Sequence, residues 1–389
     1  MGFAELLALL MTLAGFGVDQ NPNAPTGKQV LHYAPARADY MLHVDLVGVV
    51  PNNYDLLTKL PDHPTVKKEA KARDAIAQLV GQAEAGRSMI KGMIGLDPIT
   101  DITSVTAWIN VPDAGDPNVL VVVRGNIPAD LIDNIAGASG MPTTEVKGVA
   151  TLSPEPEMLC AVGPRGEVLF GTKAWVEPRL SKSWKRERAG AIAKGAEALL
   201  DKKPTVLLAS GPSKRWVRKV SRELANEPEA ALLVDLATGH SFLAVSILHN
   251  GVEWTTTART KSGYARAVRA SDGAVELMRS FHHASRGVAR VLLAAIPSYK
   301  GANEVVDAIV AHADEIMKLV ENTTGDGTFK VERDASAGKR TVHITATGDD
   351  LSDVLPAAGV VPVLGAAGFF LVASEKKAMD MDMPAAAAP

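Results

Sequence analysis

The stretch that most constrains this fold is residues 95–125, GLDPITDITSVTAWINVPDAGDPNVLVVVRG. Gly95-Leu96-Asp97-Pro98 is a helix stop, because Pro98 has no backbone N–H to give and its ring clashes with the preceding turn. Two β-rich runs follow, joined by a loop of Pro, Asp and Gly. In the first, Ile102, Ser104, Thr106, Trp108 and Asn110 alternate with Thr103, Val105, Ala107, Ile109 and Val111, the period of a strand. Its partner, Val119 to Val123, is almost wholly apolar, the pattern of a central strand covered on both faces. A chain built around this hairpin folds as an α+β protein with the hairpin in mid-sheet. The hairpin carries no catalytic chemistry.

Upstream, residues 38–50 alternate with Tyr40, Leu42, Val44 and Leu46 on one face, which predicts a strand. Residues 65–93 predict a long helix: Ile76, Leu79, Val80 and Ala83 are spaced three and four apart, with Lys67, Lys68, Lys71 and Arg73 mostly opposite. Downstream, Pro128 and Asp130 open a helix through Ile135. Residues 144–153 and 157–171 read as two strands, the second with a turn at Pro164-Arg165-Gly166. Residues 37–172 thus form a first α+β module.

Residues 173–203 read as a basic helical connector, with Lys173, Arg179, Lys182, Lys185, Arg186 and Arg188 around Trp175 and Trp184. A second module spans 204–350. It opens with a short buried strand at 205–209 and a helix capped by Ser213. Two strands then flank His249-Asn250-Gly251, the strongest local hairpin signal in the chain. Helices at roughly 263–296 and 302–320 follow by periodicity, and a last hairpin pairs 329–333 with 341–346. The order strand, helix, hairpin, helix, hairpin thus recurs, and the fold reads as two tandem modules of antiparallel sheet packed with long helices.

The two ends suggest an address. Leu6 to Val18 is a 13-residue apolar run, long enough for a signal peptide and too short to span a bilayer. Its lack of a basic residue equally suits a short docked helix. Residues 19–36 form a linker. Within a C-terminal apolar segment, 351–377, Val354 to Ser374 has no charged residue over 21 positions, the length of a membrane span. Asp349, Asp350 and Asp353 precede it and Lys376 and Lys377 follow, so the positive-inside rule leaves the body outside and the tail in the cytoplasm. Three glycines and two prolines there also suit a buried strand-turn-strand. Residues 378–389 read as a disordered tail.

Few residue patterns point to chemistry. With a net charge of −3 the chain has no global field for nucleic acid, so nucleic acid is not an expected partner. Its lone cysteine, Cys160, excludes an intrachain disulfide and reads as an inert thiol in a strand. His43 and Asp45 share one face of the first strand at hydrogen-bonding distance, and with His240 they make a speculative polar site. His282 and His283 are adjacent on a helix and point about 100° apart, so they cannot converge on one metal. Lys214, Arg215, Arg218, Lys219 and Arg222, with Trp216 among them, form a basic helix face that could bind a polyanion or anionic headgroups. The negative net charge and the lack of a second basic, aromatic-rich platform favour a solvated face with Trp216 packed inward. Gly338-Lys339 and Gly239-His240-Ser241 lack the spacing of a phosphate loop and a nucleophile elbow. No catalytic residue, metal or cofactor is read from the sequence.

Pro35-Ala36-Arg37-Ala38-Asp39, then Val44-Asp45, Gly95-Leu96-Asp97-Pro98 with Asp101, Arg124-Gly125 and Pro128 to Ile132 form a pattern over residues 35–132. It resembles a group of bacterial secreted or envelope proteins in which such a step joins a long helix to a hairpin. The resemblance implies an α+β fold and brings no catalytic residues. The combined expectation is a non-enzymatic exported envelope protein, held at the membrane through 354–374, whose modules bind a protein partner or a ligand. The alternatives are a carrier for an apolar ligand or lipid, and a hydrolase using His43, Asp45 and His240.

Overall fold

The computed structural model describes residues 24–47, 50–62, 70–110, 112, 116–185, 190–211, 217, 222, 239–295 and 329–348. The expected signal segment, the C-terminal apolar segment and tail, and the helix at 302–320 lie outside them. The fold is α+β, as expected, with antiparallel strands packed by helices. Two compact units divide it, Met1–Trp216 with Phe242–His249, and Val217–Ser241 with Asn250–Pro389.

In the first unit a short helix α1 (Gly27–Val30) and a 3₁₀ turn (Leu31–Tyr33) lead into β1 (Tyr40–Asp45). Then come α2 (Val50–Lys59), α3 (Ala70–Ile94), β2 (Ile102–Asn110), β3 (Asn118–Gly125) and α4 (Leu131–Ser139). Strands β4 (Thr143–Val146), β5 (Val149–Leu152), β6 (Met158–Val162) and β7 (Val168–Thr172) follow, then α5 (Lys173–Arg179), α6 (Ala191–Leu200) and β8 (Val206–Ser210). The last strand, β9 (His240–Leu248), joins this unit from Phe242 onward. The sheet runs β9-β8-β1-β2-β3-β7-β6-β5-β4, so the β2–β3 hairpin holds its middle. The single strand read at 144–153 is a hairpin instead. Lys147 and Gly148 both take positive φ, the geometry of a two-residue type I′ turn.

Burial explains which segments pack together. One sheet face is closed by α1, the 3₁₀ turn, α5 and α6, whose Val30, Leu31, Val176, Leu180, Ile192, Ala196 and Leu199 join Met41, Trp108, Leu120 and Leu207 in one core. The two helices within the segment read as a basic connector therefore pack into the core. Ile192, Ala196 and Leu199 are spaced four and three apart and give α6 an apolar stripe, while Arg179 is buried. Its Nε donates to the Tyr33 carbonyl at 2.8 Å and its Nη1 to the Trp175 carbonyl at 2.6 Å. Trp184 lies under the guanidinium and stacks on Tyr33. Strand β8, read as the opening of a second module, pairs instead with β1, Leu42 opposite Leu208.

The stop at 95–101 is built as a lock. Gly95 takes φ of 71° and its N–H donates to the Lys91 carbonyl, ending α3 in the left-handed cap that glycine adopts without steric cost. Leu96 enters a second apolar cluster with Leu131 and Val168. Asp97 is buried, accepts from Arg87 and from the Ile99 N–H, and donates its own N–H to the Asp101 carboxylate at 2.8 Å. Gly125 faces the Asp101 carbonyl so closely that a Cβ would collide with it.

In the second unit β10 (Gly251–Ala258), α7 (Lys261–Ala295), β11 (Lys330–Ser336) and β12 (Thr341–Thr347) form a sheet ordered β10-β12-β11 under the helix. Val275 and Met278 of α7 are buried, and Arg279 Nη2 donates to the Val331 carbonyl at 2.9 Å. The helix expected at 263–296 and the final hairpin are both present.

Candidate functional site

The two faces of the first unit's sheet invert the usual pattern. On β2 the polar set Ser104 and Thr106, with Trp108, is fully buried, whereas Val105, Ala107 and Ile109 are only half-buried. On β1 His43 and Asp45 are buried, whereas Tyr40 and Leu42 are half-buried. Polar side chains thus sit beneath the helices among Met41, Trp108 and Leu207, while Leu42, Val105, Ala107 and Ile109 lie half-buried on the opposite face.

Within the buried polar row Thr106 hydrogen-bonds both His43 and Arg124, whereas Ser104 Oγ and Trp108 Nε1 are buried without a hydrogen-bond partner among the described residues. His43 lies directly opposite Thr106, and its Nδ1 is 2.9 Å from the Thr106 hydroxyl. Arg124 Nη1 donates to the same oxygen at 3.4 Å, and Nη2 to the carbonyls of Gln29 and Val30 at 3.0 and 3.4 Å. The Thr106 hydroxyl has one proton to give and two lone pairs to accept with, so it serves Arg124 and either tautomer of His43. Burial pushes the His43 pKa down to about 3, and the Arg124 charge adds to the shift. Burial likewise holds Arg124 below its ordinary value. Asp45 is engaged elsewhere: its Oδ1 accepts from the Val47 N–H at 3.2 Å. His43 and Asp45 thus share a face, as read from β1, but His43 pairs with Thr106. These groups tie α1 to the middle of the sheet.

The other predicted polar residue, His240, is buried at the start of β9 and belongs to the second unit. That unit holds its own cross-strand pair, Thr255 opposite His343, with Oγ1 and Nδ1 3.0 Å apart. Of the basic stretch, Arg222 is described and is exposed. Lys214, Arg215, Trp216, Arg218 and Lys219 lie outside the described residues, as do the side chains of His282 and His283. Among the described residues no group of His, Cys, Asp and Glu has the arrangement to hold a metal ion.

The outward face is the feature that sequence reading missed. Cross-strand registers place Val245, Leu208, Leu42, Ala107, Val121, Phe170 and Cys160 in one row across β9, β8, β1, β2, β3, β7 and β6. All seven are half-buried. At about 4.8 Å per strand the row is roughly 29 Å long. Tyr40, Ile109 and Val119 widen it in the next register. Its other edge, the row of Val44, Val105, Val123, Val168 and Val162, runs into the cluster around Leu96 and Leu131. Cys160 brings no reactivity, since burial pushes its thiol up to about 11. The available signal was the strict alternation in β2, which shows two unlike faces but not which one turns inward.

The chain matches no protein-family model and no curated protein. Among solved structures it is similar to TP0453 in crystal form I, with 11% identity over 88% of this chain and 98% of that one. The TM-score of 0.32 is too low to carry an argument. Among the described residues no helix is long and apolar enough to cross a membrane.

Proposed function

We propose that this is a non-enzymatic exported protein of the cell envelope that binds an apolar ligand, such as an acyl chain, on the outward face of the first unit's sheet. The observation that carries the reading is the seven-residue row from Val245 to Cys160, aliphatic or aromatic at every position but the neutral thiol. A row of this length, partly open to solvent and closed at its Cys160 end by the cluster of Leu96, Leu131 and Val168, supports a binding site, and about 29 Å accommodates an extended acyl chain. The hydrolase alternative loses its main support. His43 is buried to 2% exposure and its pKa is pushed down to about 3, so it is a poor base and no substrate reaches it.

Export rests on the two apolar ends of the chain and on the resemblance over residues 35–132. The test has two arms. Titration with a hydrophobic dye and displacement by a long-chain fatty acid measures the ligand site, and saturable binding is the expected result. Fractionation of the expressed protein with N-terminal sequencing measures export. Recovery in the cytoplasm with residues 1–18 intact would refute the envelope reading without touching the ligand arm.

A further inference from the structure

The described large hydrophobic side chains that stand exposed are Val47, Leu79, Met89, Ile90 and Met93. All but Val47 belong to α3. With 100° per residue, Leu79, Gly86, Ile90 and Met93 fall within an arc of about 60°, and Met89 borders it. These side chains are 60% (Leu79), 60% (Met89), 37% (Ile90) and 49% (Met93) exposed, far above the level of packed residues. The charges of this part of the helix, Glu84, Arg87 and Lys91, lie to the other side, where Arg87 and Lys91 hold Asp97. A Cβ added at Gly86 would meet nothing, so the backbone is open at the middle of this face. This is a wide, uncharged, apolar surface on one rigid element.

We propose that α3 is a self-association surface through which two copies of this chain pair antiparallel about a two-fold axis at Gly86. The surface is self-complementary in that arrangement. An axis through Gly86 sets Leu79 of one copy against Met93 of the other, Ala83 against Met89 and Gln82 against Ile90. Each bulky group then meets a smaller or more flexible one, and Gly86 meets itself at the crossing, where the missing side chain lets the backbones approach closely. Such a contact is isologous and closes at two copies. No charge of either copy lies on the contact, so like charges do not oppose it. A membrane-surface helix instead carries Lys and Arg along the borders of its apolar face, and here the two nearest cations are spent on Asp97. From Leu79 to Met93 the helix is about 21 Å long. Two such faces bury on the order of 800 Å² in total, below the standard interface and in the range of weak, reversible pairs.

Sedimentation velocity of the full chain over about 1 to 200 μM tests this, the window of a weak dimer. The expected result is a reversible monomer–dimer equilibrium. Leu79→Glu and Met93→Glu should each weaken it by about tenfold or more, with an unchanged thermal midpoint because both positions are exposed. In a Cys160→Ser background, Gly86→Cys should give a disulfide-linked dimer on mild oxidation, and Ser88→Cys, on the opposite side of α3, should not. A monomer at every concentration overturns the proposal, as does a dimer indifferent to both Glu substitutions. Vesicle binding that those substitutions abolish, without any dimer in solution, overturns it in favour of a lipid surface.

Discussion

The carboxylate of Asp97 lies in the fork of the Arg87 guanidinium, with Nε 3.0 Å from Oδ1 and Nη2 2.8 Å from Oδ2. Lys91 Nζ adds a contact at 3.4 Å, and the Arg87 guanidinium lies 5.2 Å from the Tyr54 ring centre. A bidentate pair fixes orientation as well as charge. It joins the last turns of α3 to the step that starts the central hairpin, so the helix stop and the sheet are set by one interaction.

The Arg87 fork, with the Ile99 N–H and Lys91, holds the Asp97 carboxyl well below the usual carboxylate range. The sign follows from linkage. A carboxyl depressed in the folded state contributes stability above its unfolded value of 3.8 and loses it as pH falls below that value. Asp97→Asn should lower stability at neutral pH by about 1–2 kcal/mol, allowing for the partial exposure of Arg87. Urea melts from pH 6 down to 2.5 should show a shallower acid limb in the variant than in the parent protein.

His43 has the opposite kind of site, buried and neutral. Its folded value lies near 3 against 6.5 for the ordinary side chain, so the unfolded chain binds a proton that the folded one refuses. Stability should fall as pH drops from 6.5 toward 3, by up to about 1.4 kcal/mol per unit from this group. His43→Gln, which keeps a polar atom near Thr106, should remove that slope. Chemical denaturation at pH 7, 6 and 5 reads the difference. A slope unchanged by the substitution would contradict the neutral, buried assignment.

Two glycines of the lock should respond unequally. Gly95→Ala places a Cβ in left-handed backbone, in ordinary contact with Asn134 and Pro128, and should cost about 1–2 kcal/mol. Gly125→Ala runs into the Asp101 carbonyl, so the β2–β3 register must shift as well, and its thermal midpoint should drop further. Comparable midpoints for the two variants would argue against the close approach at Asp101.

The residues whose chemistry is local were legible in the sequence. Pro98 and Gly95 marked the end of α3, the alternation of β2 marked a strand, and Asn250-Gly251 marked the start of β10. What depends on non-local pairing was not. Nothing in residues 205–209 distinguishes a strand that opens a new module from one that pairs with β1, because the pairing is fixed by side chains more than 150 residues away. The same holds for the polar row. Ser104 and Thr106 look like solvent-facing positions until His43 and Arg124, which come from other strands, are placed beside them. With those turned inward, the valines and Ala107 of the same strands are left to form the outward apolar row. Cys160 was read as an inert thiol in a strand, and its environment agrees.

The account turns on whether that row binds an apolar ligand, and Ala107 at its centre gives the most direct measurement. In a Cys160→Ser background, Ala107→Cys places a small thiol where the registers of β1 and β3 meet. Labelled with an environment-sensitive fluorophore, the folded protein should show a saturable blue shift on titration with a long-chain fatty acid, with a dissociation constant on the order of micromolar, and little response to a short-chain acid. The same label at an exposed position such as Ser88 should not respond. An absence of saturable change at Ala107→Cys up to the solubility limit of the fatty acid would contradict the proposed function.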